Sequence, residues 1–123
     1  MEPEHATLEQ YVDMPELLAR VCEDRELLME LLQLFQESFP RLRDALQLAA
    51  ESGDANQIEK AAHALKGMFA GLSMKQASQL AAQVELAARA DDLPQVHETM
   101  AKLIREEAGL LVAVESFVAG SMT

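Results

Sequence analysis

Apolar residues three and four positions apart run through most of this 123-residue chain. That spacing puts them on one face of an α-helix, whereas a strand would show strict alternation. Two long stripes show the pattern best: Leu28, Leu31, Phe35, Phe39, Leu42, Leu46 and Ala49, and then Val96, Met100, Leu103, Ile104, Leu111 and Val114. The spacing predicts amphipathic helices that bury these faces against one another.

Helix starts are marked by an Asp or Ser followed three residues later by Glu or Gln, a pair in which each side chain can accept from the other's backbone N–H. The pairs are Asp13–Glu16, Asp54–Gln57, Ser73–Gln76 and Asp92–Gln95. With Gly53 as a helix stop, they predict helices at 14–22, 25–51, 55–72, 74–90 and 93–117. Pro40 falls inside the second helix, where we expect a kink because the stripe keeps its register.

Short connections between these helices favour antiparallel neighbours. We therefore predict an all-α fold, an antiparallel up-and-down four-helix bundle with a short extra N-terminal helix. A chain of this length, half of it apolar, fits one domain over residues 1–123, with a core at about 13–117 and frayed termini.

Charge and cysteine content narrow the function classes. A formal charge of −11 opposes binding to nucleic acid or to an anionic membrane. No stretch approaches the roughly 20 apolar residues of a membrane span, and the first ten residues are acidic where a secretory signal is basic. Cys22 is the only cysteine, which excludes an intramolecular disulfide; we expect it to be hidden by a helix, in a cytoplasmic protein.

The helix at 55–72 has an unusual polar face. On a helical wheel its apolar residues fill one arc, and His63 lies near the centre of the opposite arc, so the imidazole should face solvent. Gly67 lies one turn further on, although a mid-helix glycine costs up to about 1 kcal/mol relative to alanine. Together with Ala70 and Gly71 it leaves a bare patch beside His63, which indicates access for another protein.

Two lysines flank this histidine in an otherwise acidic chain. Lys60 and Lys66 lie three residues to either side of His63, and helical spacing brings all three to one face. A neutral imidazole nitrogen is a competent nucleophile near neutral pH, and a nearby ammonium would offset a phosphoryl group bound to it. An exposed histidine between lysines is also common on an ordinary solvated surface.

The segment AAHALKG, residues 61–67, resembles the HxLKG motif of histidine phosphotransfer (HPt) domains, and the resemblance covers roughly residues 13–115. It implies that His63 is phosphorylated, that Lys66 holds the phosphoryl group and that Gly67 keeps the surface open. It also implies a phosphoryl carrier rather than an enzyme, with no cofactor or metal of its own. Its partners would be response-regulator receiver domains, which supply the aspartate and Mg²⁺, and an upstream hybrid sensor kinase.

Two further positions are read through this resemblance. Family members often place a Gln or Glu on the next helix against the histidine, and Glu85 matches that position. Its carboxylate could accept the Nδ1 proton and leave Nε2 as the nucleophile, or it could simply be solvated surface. Ten residues after the histidine the family commonly has glycine, whereas this chain has Ser73, which we expect to act as a helix N-cap.

Other readings remain open. A metal-binding bundle could use His63, Glu59, Glu85 and His97, but the inward-facing Glu-x-x-His pairs of di-iron bundles are absent, and His5 precedes the first helix. A partner-recruiting scaffold could keep the fold without the chemistry. We expect a monomer, and the sequence leaves open whether the module is free-standing or part of a hybrid kinase.

Overall fold

A computed structural model describes residues 7–121, and the part it describes is helical throughout apart from its turns. A short 3₁₀ helix, Leu8–Gln10, precedes five α-helices: α1 (Met14–Arg20), α2 (Arg25–Ser52), α3 (Ala55–Gly71), α4 (Lys75–Arg89) and α5 (Leu93–Ser121). The all-α prediction is confirmed. The four long helices form a closed ring of neighbours in which α3 packs on α2 and α4, while α5 packs on α4 and α2. Pro40 lies within an unbroken α2.

Aspartate side chains begin most of these helices. Asp13, Asp54 and Asp92 accept from backbone N–H groups of the first turn, as predicted, at 3.1 to 3.2 Å. Asp24 does the same for α2 and was not among the predicted caps. Each cap satisfies backbone donors that have no partner within the helix, and so fixes where the helix starts.

The core lies between the apolar faces of the helices. Three fully buried phenylalanines, Phe35 and Phe39 of α2 and Phe69 of α3, meet with ring centroids 5.4 to 6.4 Å apart. This contact fixes α3 against α2, and it directs the opposite face of α3 to solvent. Ile104, which the sequence placed in the α5 stripe, is 49% exposed instead.

Three helices end on a residue in the left-handed region without using glycine. Cys22, Ser73 and Asp91 have φ of 54°, 57° and 56°. At each, the next residue donates to a carbonyl five positions back, which is the Schellman end that glycine usually provides. The predicted burial of Cys22 in a helix is therefore wrong, since α1 stops at Arg20 and the thiol residue is exposed.

The prediction that Ser73 caps α4 is also wrong. Met74 occupies the N-cap without a side-chain hydrogen bond, and Ser73 is buried in the turn before it. The Ser73 hydroxyl donates to Glu16 Oε2 at 2.8 Å, and its carbonyl accepts from the backbone of Asp13 at 2.9 Å. The backbone N–H of Glu16 lowers the pKa of Asp13, and the Ser73 hydroxyl lowers that of Glu16. Lys75, whose Nζ lies 3.1 to 3.2 Å from both acids, lowers the two pKa values further.

Packed residues also lie on either side of residues 13–117. Leu8 and Val12 are buried, and the Tyr11 ring lies so close to Gly109 that a side chain there would overlap it. At the other end α5 continues to Ser121. His5 and most of the acidic N-terminal segment lie outside the described residues.

Candidate functional site

His63 lies in the middle of α3, on the face opposite the core. Ile58, Ala62, Leu65 and Phe69 of the same helix are fully buried. The His63 side chain is 67% exposed, as the wheel predicted. The residue is thus held by a well-packed helix while its ring remains open to a partner.

One nitrogen of this ring makes a hydrogen bond with Glu85 of α4. Its Oε2 lies 2.9 Å from His63 Nδ1, and the carboxylate side chain is only 7% exposed, so the solvated-surface interpretation of Glu85 is wrong. An ionised carboxylate only accepts hydrogen bonds, so Nδ1 must be the donor. A neutral ring that donates from Nδ1 carries its lone pair on Nε2, the nitrogen that does not contact Glu85.

Lys66 keeps that carboxylate ionised. Its Nζ lies 2.7 Å from Glu85 Oε1. The hydrogen bond from Lys66, aided by His63, lowers the pKa of Glu85 against the opposing effect of burial. One buried acid therefore joins His63 and the lysine three residues after it.

Arg89 and Glu59 complete the polar cluster and were not predicted as a pair. Arg89 Nη2 lies 3.3 Å from Glu85 Oε2, and its Nε donates to Glu59 Oε2 at 2.9 Å. The sequence held one signal, since Glu85 and Arg89 are four residues apart on one helix face. Glu59, Lys60, His63, Glu85 and Arg89 line one polar depression together with Asn56.

An apolar groove of about 350 Å³ runs beside Gly67 and Gly71 between α2 and α3. Its lining residues are Leu31, Leu34, Phe35, Ser38, Leu42, Gly67, Met68, Gly71 and Leu72. A Cβ on either glycine would meet nothing within 4 Å, so packing inside the protein does not require them. Ala70 is exposed but does not line the groove, and its carbonyl accepts from Arg20 Nη1 at 2.8 Å.

A comparison with protein families identifies the fold. The Hpt domain model matches residues 30–114, more than half of the chain. The chain belongs to the HPt family. Membership places it in two-component phosphorelay signalling, with a role connected to phosphotransfer. No curated protein and no solved structure matches the chain significantly.

HPt domains are phosphocarrier modules that interact with receiver domains and kinases. Within residues 7–121, none of the helices has the length and apolar character needed to cross a bilayer.

The residues of the metal hypothesis do not converge on one site in this HPt domain. Glu59 and Glu85 share Arg89, whereas His97 lies in a different depression between α2 and α5. Among the described residues there is no group of three or more His, Cys, Asp or Glu side chains arranged to hold a metal ion.

Proposed function

We propose that this HPt domain relays a phosphoryl group between receiver-domain aspartates by way of phosphorylated His63. The observation that supports this most directly is the 2.9 Å contact between His63 Nδ1 and Glu85, because it leaves the lone pair on Nε2 of a side chain that is 67% exposed. In the transfer step that lone pair forms a bond to phosphorus while the P–O bond to the receiver aspartate breaks. The bonding electrons stay on the aspartate carboxylate, and the Nδ1 proton remains on the imidazole, hydrogen-bonded to Glu85.

Lys66 and Lys60 would stabilise the phosphoryl group. Lys66 lies one turn from His63 and is one-third exposed, so its ammonium can turn from Glu85 towards a group on Nε2. Lys60, one turn before His63, lines the polar depression together with it. Charge-assisted contacts to phosphate oxygens are stronger than neutral ones. They would offset the repulsion between the phosphoryl anion and this acidic chain.

The docking face would comprise the groove at Gly67 and Gly71, with exposed Ala70 at its margin. The groove is mostly apolar and begins one turn after His63, so a receiver surface that fills it brings its aspartate near Nε2. Leu34, 54% exposed, would be covered on docking. The receiver would supply the acidic pocket and Mg²⁺, and this chain the nucleophile.

A labelled phosphorylated receiver, incubated with Mg²⁺ and this protein, tests the relay. We expect acid-labile label on the wild type and on His97→Gln, which removes an exposed histidine from another face, and none on His63→Gln. Label on His63→Gln would refute the assignment. No label with any receiver would favour the alternative, a scaffold that keeps the HPt fold without the chemistry.

The remaining proposals concern the setting of the relay. A hybrid sensor kinase would act upstream, and the protein would work in the cytoplasm as a monomer without a cofactor. A single domain spanning residues 1–123 is consistent with one continuous buried core from Leu8 to Val118. Light scattering at the concentrations used for transfer checks the monomer.

A further inference from the structure

The arginine in the polar cluster contacts the same carboxylate oxygen that faces the nucleophile. Glu85 Oε2 lies 2.9 Å from His63 Nδ1 and 3.3 Å from Arg89 Nη2. Arg89 is itself held at Nε by Glu59 Oε2, on the helix that carries His63. Arg89 thus links α4 to α3 through Glu59 and contacts Glu85 within its own helix.

Glu85 has two permanent cations, one on each oxygen, and they differ in their freedom. Lys66 contacts Oε1 at 2.7 Å and is the cation that would turn to a phosphoryl group. When it turns, a carboxylate that is 7% exposed loses its shortest ion pair. A buried charge without a partner is costly and tends to take up a proton. A protonated Glu85 would accept the Nδ1 proton of His63 only as a neutral and therefore weaker acceptor.

We propose that Arg89, anchored by Glu59, is a positioning residue that keeps Glu85 ionised and against His63 while Lys66 is engaged elsewhere. The phosphoryl part of this inference rests on the proposed function, whereas the electrostatic part can be measured without it. Lys60, the other cation of the depression, is exposed and belongs to α3. Arg89, by contrast, contacts Glu85 and lies four residues after it on the same helix, α4.

The first test uses the unphosphorylated protein. Lys66→Ala imitates the withdrawal of the lysine, and carboxyl ¹³C NMR follows the pH midpoint of Glu85. We expect a clear further rise of that midpoint when Arg89→Gln is added to Lys66→Ala, and recovery with Arg89→Lys. Arg105→Gln, an exposed charge change on the helix diagonal to α3, should leave it unchanged. Equal midpoints with and without Arg89 would overturn the proposal.

The second test is kinetic and separates positioning from folding. Arg89→Gln should slow transfer from a phosphorylated receiver roughly 5-fold when Glu85 is present. It should have no further effect in the Glu85→Gln background, where no carboxylate needs compensation. Equal slowing in both backgrounds would show a structural role and refute the positioning one. So would a fall in the melting temperature of Arg89→Gln large enough to account for the slower transfer.

The two proposals can fail separately. If the wild type accepts no label while the Glu85 midpoint still depends on Arg89, the relay is refuted and the electrostatic role stands. If the wild type accepts label while neither the midpoint nor the rate depends on Arg89, the relay stands and the role of Arg89 is refuted.

Discussion

Gly67 should be less favourable for the stability of the fold than an alanine at the same position. In the middle of α3 it has an ordinary helical backbone, and an added Cβ would meet nothing within 4 Å. Gly67→Ala should therefore gain most of the helix propensity difference, about 0.8–1 kcal/mol. For a chain of this size the unfolding entropy is about 0.26 kcal/mol per kelvin, so the melting temperature should rise by about 3–4 °C.

The same methyl group should impair docking, because it projects into the groove that a receiver would fill. Overpacking of a fitted surface by one methyl costs about 1–3 kcal/mol, and we expect receiver binding roughly 10-fold weaker or more. Calorimetric unfolding and titration against a receiver measure the two effects on one sample. Gly120→Ala, which adds a methyl near the end of α5 with nothing within 4 Å, is the control for binding.

Either half of this prediction can fail. A lower melting temperature would mean that Gly67 serves the fold. A higher one with unchanged binding would mean that the groove is not where the receiver docks.

Three further predictions concern single side chains. Lys66→Ala should slow transfer by about 10-fold, as expected for loss of a charge-assisted phosphate contact, with unchanged circular dichroism; unchanged kinetics would remove its phosphate role. Burial raises the pKa of Glu107 to about 7, an effect that Arg43 partly offsets. The native state therefore binds this proton more tightly than the unfolded state does, and the free energy of unfolding should fall as pH rises from 4.5 through 7. Glu107→Gln should therefore raise the free energy of unfolding by about 1–3 kcal/mol at pH 8 and hardly change it at pH 4, in urea titrations. Ser73→Ala should lower that free energy by about 1–2 kcal/mol, because it keeps the left-handed backbone and loses the bond to Glu16, whereas Ser73→Gly should be nearly neutral.

Features that depend on local sequence were predictable. The three-and-four spacing, with predicted aspartate caps at the starts of α1, α3 and α5, gave the five helices within a few residues, and the wheel placed His63 in solvent. These follow from contacts within one turn of helix, which a sequence displays directly.

Features that depend on tertiary contacts or on a left-handed backbone conformation could not be predicted from the sequence. Cys22 and Ser73 give no sign that they take the left-handed conformation of a helix end, because glycine is the usual signal. The burial of Glu85, its contact with His63 and the ion pair of Arg89 with Glu59 depend on how α4 lies against α3. The groove could not be predicted for a related reason. The spacing assigns Leu31 and Leu42 to the core, and only the packing of α3 on α2 shows that Gly67 and Gly71 leave the space above them open.

The turn at Ser73 has an evolutionary consequence. Residues 30–114 match the family, yet the hydroxyl that makes a serine tolerable there is bonded to Glu16, outside that range. Among relatives, a serine at this place should therefore occur together with an acid at the place of Glu16, and glycine should be free of that requirement. Two positions 57 residues apart would then vary as a pair.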